Sequence, residues 1–118
     1  MKFYSYNKCG TCRKAKKFLD DHNIAYEEID ITLSPPPKTV LKQGIKAKGL
    51  RKLFNTSGEQ YKMLKIKDQI GSMTEAQALE LLAPNGRLIK RPIAVDKDRI
   101  TVGFDEAEYK TVWSARKK

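Results

Sequence analysis

The stretch that decides the fold is Lys2-Phe-Tyr-Ser-Tyr6-Asn7-Lys8-Cys9-Gly10-Thr11-Cys12-Arg13, continued by the run from Lys14 to His22. Lys2 to Tyr6 is aromatic-rich and puts Phe3 and Ser5 on one face and Tyr4 and Tyr6 on the other, the period of a β-strand. From Cys9 to about His22 the period changes. Cys12, Ala15, Phe18 and Leu19 recur at steps of three and four, with Lys14, Lys16, Lys17 and Asp20 on the opposite side, as in an amphipathic helix. The β-branched end of Ile24 to Ile31 predicts a second strand, and strand, helix, strand implies parallel strands joined by a right-handed crossover.

Beyond this unit, Ser34-Pro35-Pro36-Pro37 removes backbone donors and predicts a turn into a helix. Short helical pieces are expected over Lys38 to Gln43 with Gly44 as the stop, Leu50 to Phe54, Glu59 to Ile66, and Glu75 to Ala83. The last is opened by a Thr74/Gln77 capping box with Met73 and Ala78 as a weak staple. Ile93 to Val95 and Arg99 to Gly103, separated by Asp96-Lys97-Asp98, read as a β-hairpin. A final helix opens at Asp105 with Glu108 as a capping box and Phe104 against Tyr109 as a staple, and runs through Val112 and Trp113. Lys110, Arg116, Lys117 and Lys118 suit its C-terminal end. The expected architecture is α/β and thioredoxin-like, βαβ followed by ββα. It forms one domain over 1–118, with a helical insertion over about 35–86 between strands 2 and 3.

Composition limits the function classes. A length of 118 residues suits one core, and no apolar run approaches the roughly 18 residues of a membrane span. The strand-like start leaves no secretory leader to expect, so a cytoplasmic location is the default. The net charge of +10 could attract an acidic protein, a nucleic acid or an oxyanion. The basic residues are spread along the chain, including Lys14, Lys42, Arg51, Lys65, Arg87 and Lys117, so a solvated basic surface is the simpler reading.

Both cysteines of the chain lie within Cys9-Gly10-Thr11-Cys12. Such a spacing does not staple long loops and in a reducing compartment indicates redox or metal chemistry. At the start of a helix, the free N–H donors and about half a positive charge stabilise a thiolate, and the more N-terminal sulfur gains most. Cys9 is therefore the candidate nucleophile, with Lys8 and Arg13 adding positive potential, and Cys12 the candidate resolving thiol. A structural zinc needs about four ligands, and the only other soft candidate, His22, falls at the far end of the helix. No metal or cofactor is expected.

Tyr4 to Arg13, Lys90-Arg91-Pro92-Ile93 and Val102-Gly103-Phe104 together resemble the arsenate reductase-like family that includes the Spx regulators. The segment Leu53-Phe54-Asn55-Thr56-Ser57-Gly58 is similar to a Gram-positive branch of it, close to those regulators. The resemblance spans nearly the whole chain. It implies a thioredoxin fold with a helical insertion, and a cis Arg91-Pro92 peptide that brings Arg91 towards Cys9. In the arsenate reductases of the family, the cysteine matching Cys9 attacks arsenate and three arginines hold it. Arg91 matches one of them, whereas Asn55 and Gly103 stand near the other two positions and Cys12 replaces a serine. In the Spx regulators, the resemblance implies a Cys-x-x-Cys switch and binding to the C-terminal domain of the RNA polymerase α subunit through a glycine matched by Gly49. Glutaredoxin, thioredoxin or a low-molecular-weight thiol would be the reductant of an enzyme of this kind.

Overall fold

The computed structural model describes residues 1–56 and 58–114. Ser57 and the basic tail residues Arg116, Lys117 and Lys118 lie outside the described residues. The elements are β1 (Lys2–Ser5), α1 (Gly10–Asp21), β2 (Glu27–Asp30), α2 (Lys38–Lys48), α3 (Glu59–Met63), α4 (Ile66–Gln69), α5 (Glu75–Leu82), β3 (Ile93–Asp96), β4 (Arg99–Val102) and α6 (Glu106–Tyr109). Single 3-10 turns at Leu50–Leu53, Ile70–Ser72 and Gly86–Leu88 link the inserted helices, and α6 continues as a π-turn over Lys110–Ser114. This is a thioredoxin-like fold with a helical insertion between its second and third strands.

The sheet order is β2-β1-β3-β4. β1 and β2 are parallel, with Tyr4 opposite Ile29, as the strand-helix-strand reading requires. β3 runs antiparallel to β1 and pairs with β4 as the expected hairpin. Period-2 alternation sends side chains to two cores. Phe3 and Ala94 face Ala15, Phe18 and Leu19 of α1 with Tyr109 and Trp113. Tyr4, Ile93, Val95 and Ile100 face the insertion, where Leu41, Leu53, Phe54, Leu79 and Leu82 close the other side.

Several local expectations need correction. β1 stops at Ser5, and β2 begins only at Glu27, because Asn23 takes a left-handed turn (φ 56) and Ile24 to Tyr26 pack beside the sheet instead of pairing. Gly44 does not end its helix. It is buried in mid-α2, where a Cβ would stand 3.1 Å from Leu53 Cδ1, and the stop is Gly49 with φ 93. The stretch from Glu59 to Ile66 is not one helix, since Lys65 in the left-handed region (φ 52) divides α3 from α4. Pro37 is the extended N-cap of α2, in line with a proline turn entering a helix. The Thr74/Gln77 capping box forms with both of its hydrogen bonds. At α6 only half a box forms. Asp105 accepts from the N–H groups of Ala107 and Glu108, while the Glu108 carboxylate pairs with Lys48. The Phe104–Tyr109 staple is present, its rings edge to face at 4.8 Å between centroids.

Gly86 fixes how the insertion returns to the sheet. A Cβ there would lie 1.9 Å from the carbonyl oxygen of Ile31, so only glycine lets the Gly86–Leu88 turn approach the end of β2. Asn55 N–H donates to Leu88 carbonyl at 2.8 Å, and Lys90 N–H donates to Leu53 carbonyl at 2.7 Å. These bonds tie the insertion to the segment that carries Arg87 and Arg91.

Candidate functional site: the thiol pair and its flanking cavity

Cys9 caps the N-terminus of α1. Its backbone is extended (φ −104, ψ 116) and its Sγ accepts the N–H of Cys12 at 3.2 Å, taking the place that Ser or Asp oxygen takes in most caps. The first turn of α1 contains no acidic side chain, so nothing local offsets the positive end of the helix. The Cys9 N–H donates to Tyr6 carbonyl at 3.1 Å, which fixes the chain entering the helix. Of the flanking cations, Lys8 is exposed and Arg13 donates from Nη1 to the carbonyl of Asn7 at 3.2 Å.

The two thiols differ in access. Cys9 is half-buried and Cys12 is buried, 3% exposed, on the inward stripe of α1. Burial pushes the Cys12 thiol up from its ordinary value of 9.0 to about 12. Its hydrogen bond to the Cys9 side chain and the charge of Cys9 act in the same direction, whereas a backbone hydrogen bond at Tyr6 and the charge of Arg91 oppose them. Both cysteines are free thiols in this structure.

Arg91 stands at the start of β3, joined to buried Pro92 by a cis peptide as the family resemblance implies. Its guanidinium lies over the Tyr6 ring, 4.9 Å from the centroid. Nη1 is buried and has no hydrogen-bond partner among the described residues. Cys9, Cys12 and Arg91 are therefore brought together around Tyr6. Gly49 lies elsewhere, exposed at the C-cap of α2 with no atom within 4 Å of where a Cβ would stand. His22 is the C-cap residue of α1, its ring stacked on Phe18 at 4.0 Å and its Nδ1 donating to Phe18 carbonyl at 2.9 Å. Among the described residues, no group of three or more His, Cys, Asp or Glu side chains is arranged to hold a metal, and no helix is long and apolar enough to cross a membrane.

Beside Arg91 opens a cavity of about 240 Å³ walled by Tyr6, Asn55, Gly58, Met63, Arg87 and Arg91. Arg87 is the residue that sequence reasoning passed over as one of many scattered cations. No local pattern marks it. Only the return of the insertion onto the sheet puts it on the wall that Arg91 also forms. Larger grooves of about 680 and 730 Å³ run along α2 and the β3–β4 turn, and neither cysteine lines any of the three.

With this geometry in view, comparison with known proteins is informative. The model of the ArsC family matches residues 4–112. The uncharacterized protein YusI of Bacillus subtilis is 47% identical over 114 residues, which cover 95% of this chain and 97% of that protein. The global transcriptional regulator Spx of Streptococcus agalactiae is 33% identical over 102 residues, 85% of this chain and 73% of its own length. Among solved structures, an ArsC family related protein from Bacteroides fragilis superposes with a TM-score of 0.88 at 41% identity, covering 94% of this chain and 95% of that one.

Proposed function

The chain belongs to the ArsC family, a thiol redox-related family, and from that premise we propose that it is a thiol–disulfide redox protein in which Cys9 attacks and Cys12 resolves. The observation that carries the reading is the asymmetry of the pair: a half-buried cysteine at the helix N-cap, backed by a buried one whose backbone N–H donates to its sulfur at 3.2 Å. Cys9 thiolate attacks one sulfur of a substrate disulfide, forming Cys9–S–S–R and releasing the other half as a thiolate. Cys12 then loses its proton to solvent and attacks Cys9 Sγ. The second thiolate leaves, and the protein carries a Cys9–Cys12 disulfide. The substrate has gained the two electrons that the protein lost.

Cys12 is suited to act second. In the resting pair its proton is held by burial and by the sulfur of Cys9. Once Cys9 is in a mixed disulfide, its negative charge is gone, while the Tyr6 backbone and Arg91 still favour a Cys12 thiolate. Arg91 also holds an anionic or polar group of the substrate beside Cys9. The pair works within one domain over 1–118, and glutaredoxin, thioredoxin or a low-molecular-weight thiol restores the dithiol. The test is trapping: Cys12→Ser should accumulate a mixed disulfide at Cys9, and Cys9→Ser should form none. A wild-type protein that forms no internal disulfide under mild oxidation would refute the reading.

A second reading is favoured by the Spx relative and by exposed Gly49: a redox-switched regulator that binds the RNA polymerase α C-terminal domain. Pull-down with that domain, reduced and oxidised, tests it. Gly49→Arg should abolish capture and leave thiol chemistry intact; no capture in either state removes the reading. Arsenate reduction is the weaker alternative, because Asn55 and Gly103 stand where two of three oxyanion arginines would be. Absence of glutaredoxin-dependent turnover would dispose of it.

A further inference from the structure

The cavity beside Arg91 specifies a substrate class. We infer that Arg87 and Arg91 form a carboxylate subsite, so that the disulfides reduced at Cys9 are small organic ones carrying a negative charge a few bonds from sulfur. This deepens the thiol–disulfide reading and rests on it.

Arg91 is held ready for an anion. Stacking on Tyr6 fixes the plane of its guanidinium, and its buried Nη1 has no hydrogen-bond acceptor among the described residues. A buried donor left unpaired is costly, and the same guanidinium side chain lines the cavity, where an anion would pair with its charge. Tyr6 links this arginine to the nucleophile, since its carbonyl accepts the Cys9 N–H at 3.1 Å. Arg91 and Cys9 are thus both fixed against Tyr6, and the arm between carboxylate and sulfur has to span that residue.

Arg87 is positioned independently. It occupies the Gly86–Leu88 turn, whose place is fixed by the close approach of Gly86 to Ile31. The same turn is clamped from the insertion, because Asn55 N–H donates to Leu88 carbonyl at 2.8 Å and Asn55 Nδ2 reaches Arg87 carbonyl at 3.4 Å. Asn55 therefore does not supply the charge of the arginine that arsenate reductases carry near this position. It holds the backbone of a different arginine.

Charge and size identify the ligand. Two guanidiniums and the carboxylate of Glu59 line the cavity, leaving one net positive charge. That suits a monoanion better than a multiply charged inorganic oxyanion. The volume of about 240 Å³ corresponds to roughly eight water molecules. It admits a carboxylate on a short carbon arm. The Tyr6 ring and Met63, 72% exposed at the rim, offer apolar contact to that arm. Electrons and atoms balance as above: Cys9 takes the sulfur bearing the carboxylate arm, the other half leaves as a thiolate, and Cys12 later displaces the arm as its thiolate.

The test compares dithiodipropionate (anionic), hydroxyethyl disulfide (neutral) and cystamine (cationic) as substrates, reading mixed-disulfide formation at Cys9 by mass in the Cys12→Ser background. The wild-type site should react faster with the anionic than with the cationic disulfide. Arg87→Gln should lower the anionic-to-neutral rate ratio by about 2- to 5-fold, the range for loss of one exposed charge pair. Arg87→Lys should recover part of it. Lys97→Gln, which removes a charge at the β3–β4 turn, should leave the ratio unchanged. An unaltered ratio in Arg87→Gln overturns the subsite, and so does an equal fall in Lys97→Gln, which would assign the effect to the general field. Reaction with none of the three disulfides would instead refute the thiol–disulfide reading itself.

Discussion

The burial of Cys12 can be turned into a rate. At pH 7 a thiol with the ordinary value of 9.0 is ionised to about one part in 10², whereas one pushed up to about 12 is ionised to about one part in 10⁵. Thiolate availability is therefore about 1000-fold lower. A more basic thiolate is intrinsically more nucleophilic, and a Brønsted slope of about 0.45 over that interval restores roughly 20-fold. The net expectation is alkylation about 50-fold slower than for a free cysteine peptide, before steric exclusion is counted. The perturbation is Cys9→Ser, which isolates Cys12 and keeps burial, the largest cause of the shift, but removes the charge of Cys9 and the hydrogen bond to its sulfur, so about 50-fold is the upper bound for this variant. The assay is pulsed iodoacetamide labelling from pH 7 to pH 10, quantified by mass. In parallel, Cys12→Ser should label readily at Cys9, the less buried of the two, at the helix end. A Cys12 that labels within about 3-fold of the peptide at pH 7 would refute the ordering of nucleophile and resolving thiol.

Burial raises both Cys12 and Tyr109, so each stays neutral in the fold at pH values where the unfolded chain ionises. Their contribution to stability is full below about pH 9 and falls as pH rises towards 12, by up to about 1.4 kcal/mol per pH unit for each ionising group. Urea melts across that window should show the loss, and a flat profile would contradict it. Thr101→Val should cost about 1–3 kcal/mol by denaturant melt despite similar shape, because Trp113 Nε1 donates to Thr101 Oγ1 at 3.0 Å in the buried interior and would be left unpaired. Gly86→Ala should cost about 1–3 kcal/mol or more by thermal melt, since its Cβ would stand 1.9 Å from the Ile31 carbonyl oxygen and backbone must move. An unchanged melting temperature would show that the turn relaxes freely.

Legibility in the sequence tracked the range of the interaction. The switch of period at Cys9, the inward stripe Cys12, Ala15, Phe18 and Leu19, and the Thr74/Gln77 cap are set within one or two turns of chain, and the structure reproduces them. Gly44 misled because its meaning is tertiary: it reads as a helix stop but admits Leu53 against mid-helix. Glu108 misled for a similar reason, since Lys48, sixty positions away in sequence, takes the carboxylate that a local box would have used. Arg87 gave no signal at all, because its position on the cavity wall depends on a backbone contact between Gly86 and Ile31 and on a clamp from Asn55.

That division has a functional consequence. On the proposed reading, the thiol pair at the start of α1 supplies the chemistry common to every substrate, and Arg91, just before β3, anchors the charged arm. Of the cavity walls, Tyr6 and Arg91 flank β1 and β3, whereas Asn55, Gly58, Glu59, Met63 and Arg87 belong to the insertion and its return. On that reading, selectivity resides mainly in a part of the chain that carries neither sulfur. Substitutions at Arg87 or Met63 should change which disulfide is preferred, whereas substitutions at Cys9 should abolish reaction with all of them. The two classes separate in one experiment, because the former alter the ratio between substrates and the latter alter every rate together. If Arg87→Gln instead slowed the anionic, neutral and cationic disulfides by one common factor, the insertion would be acting on the thiols themselves, and the separation of chemistry from selection would fail.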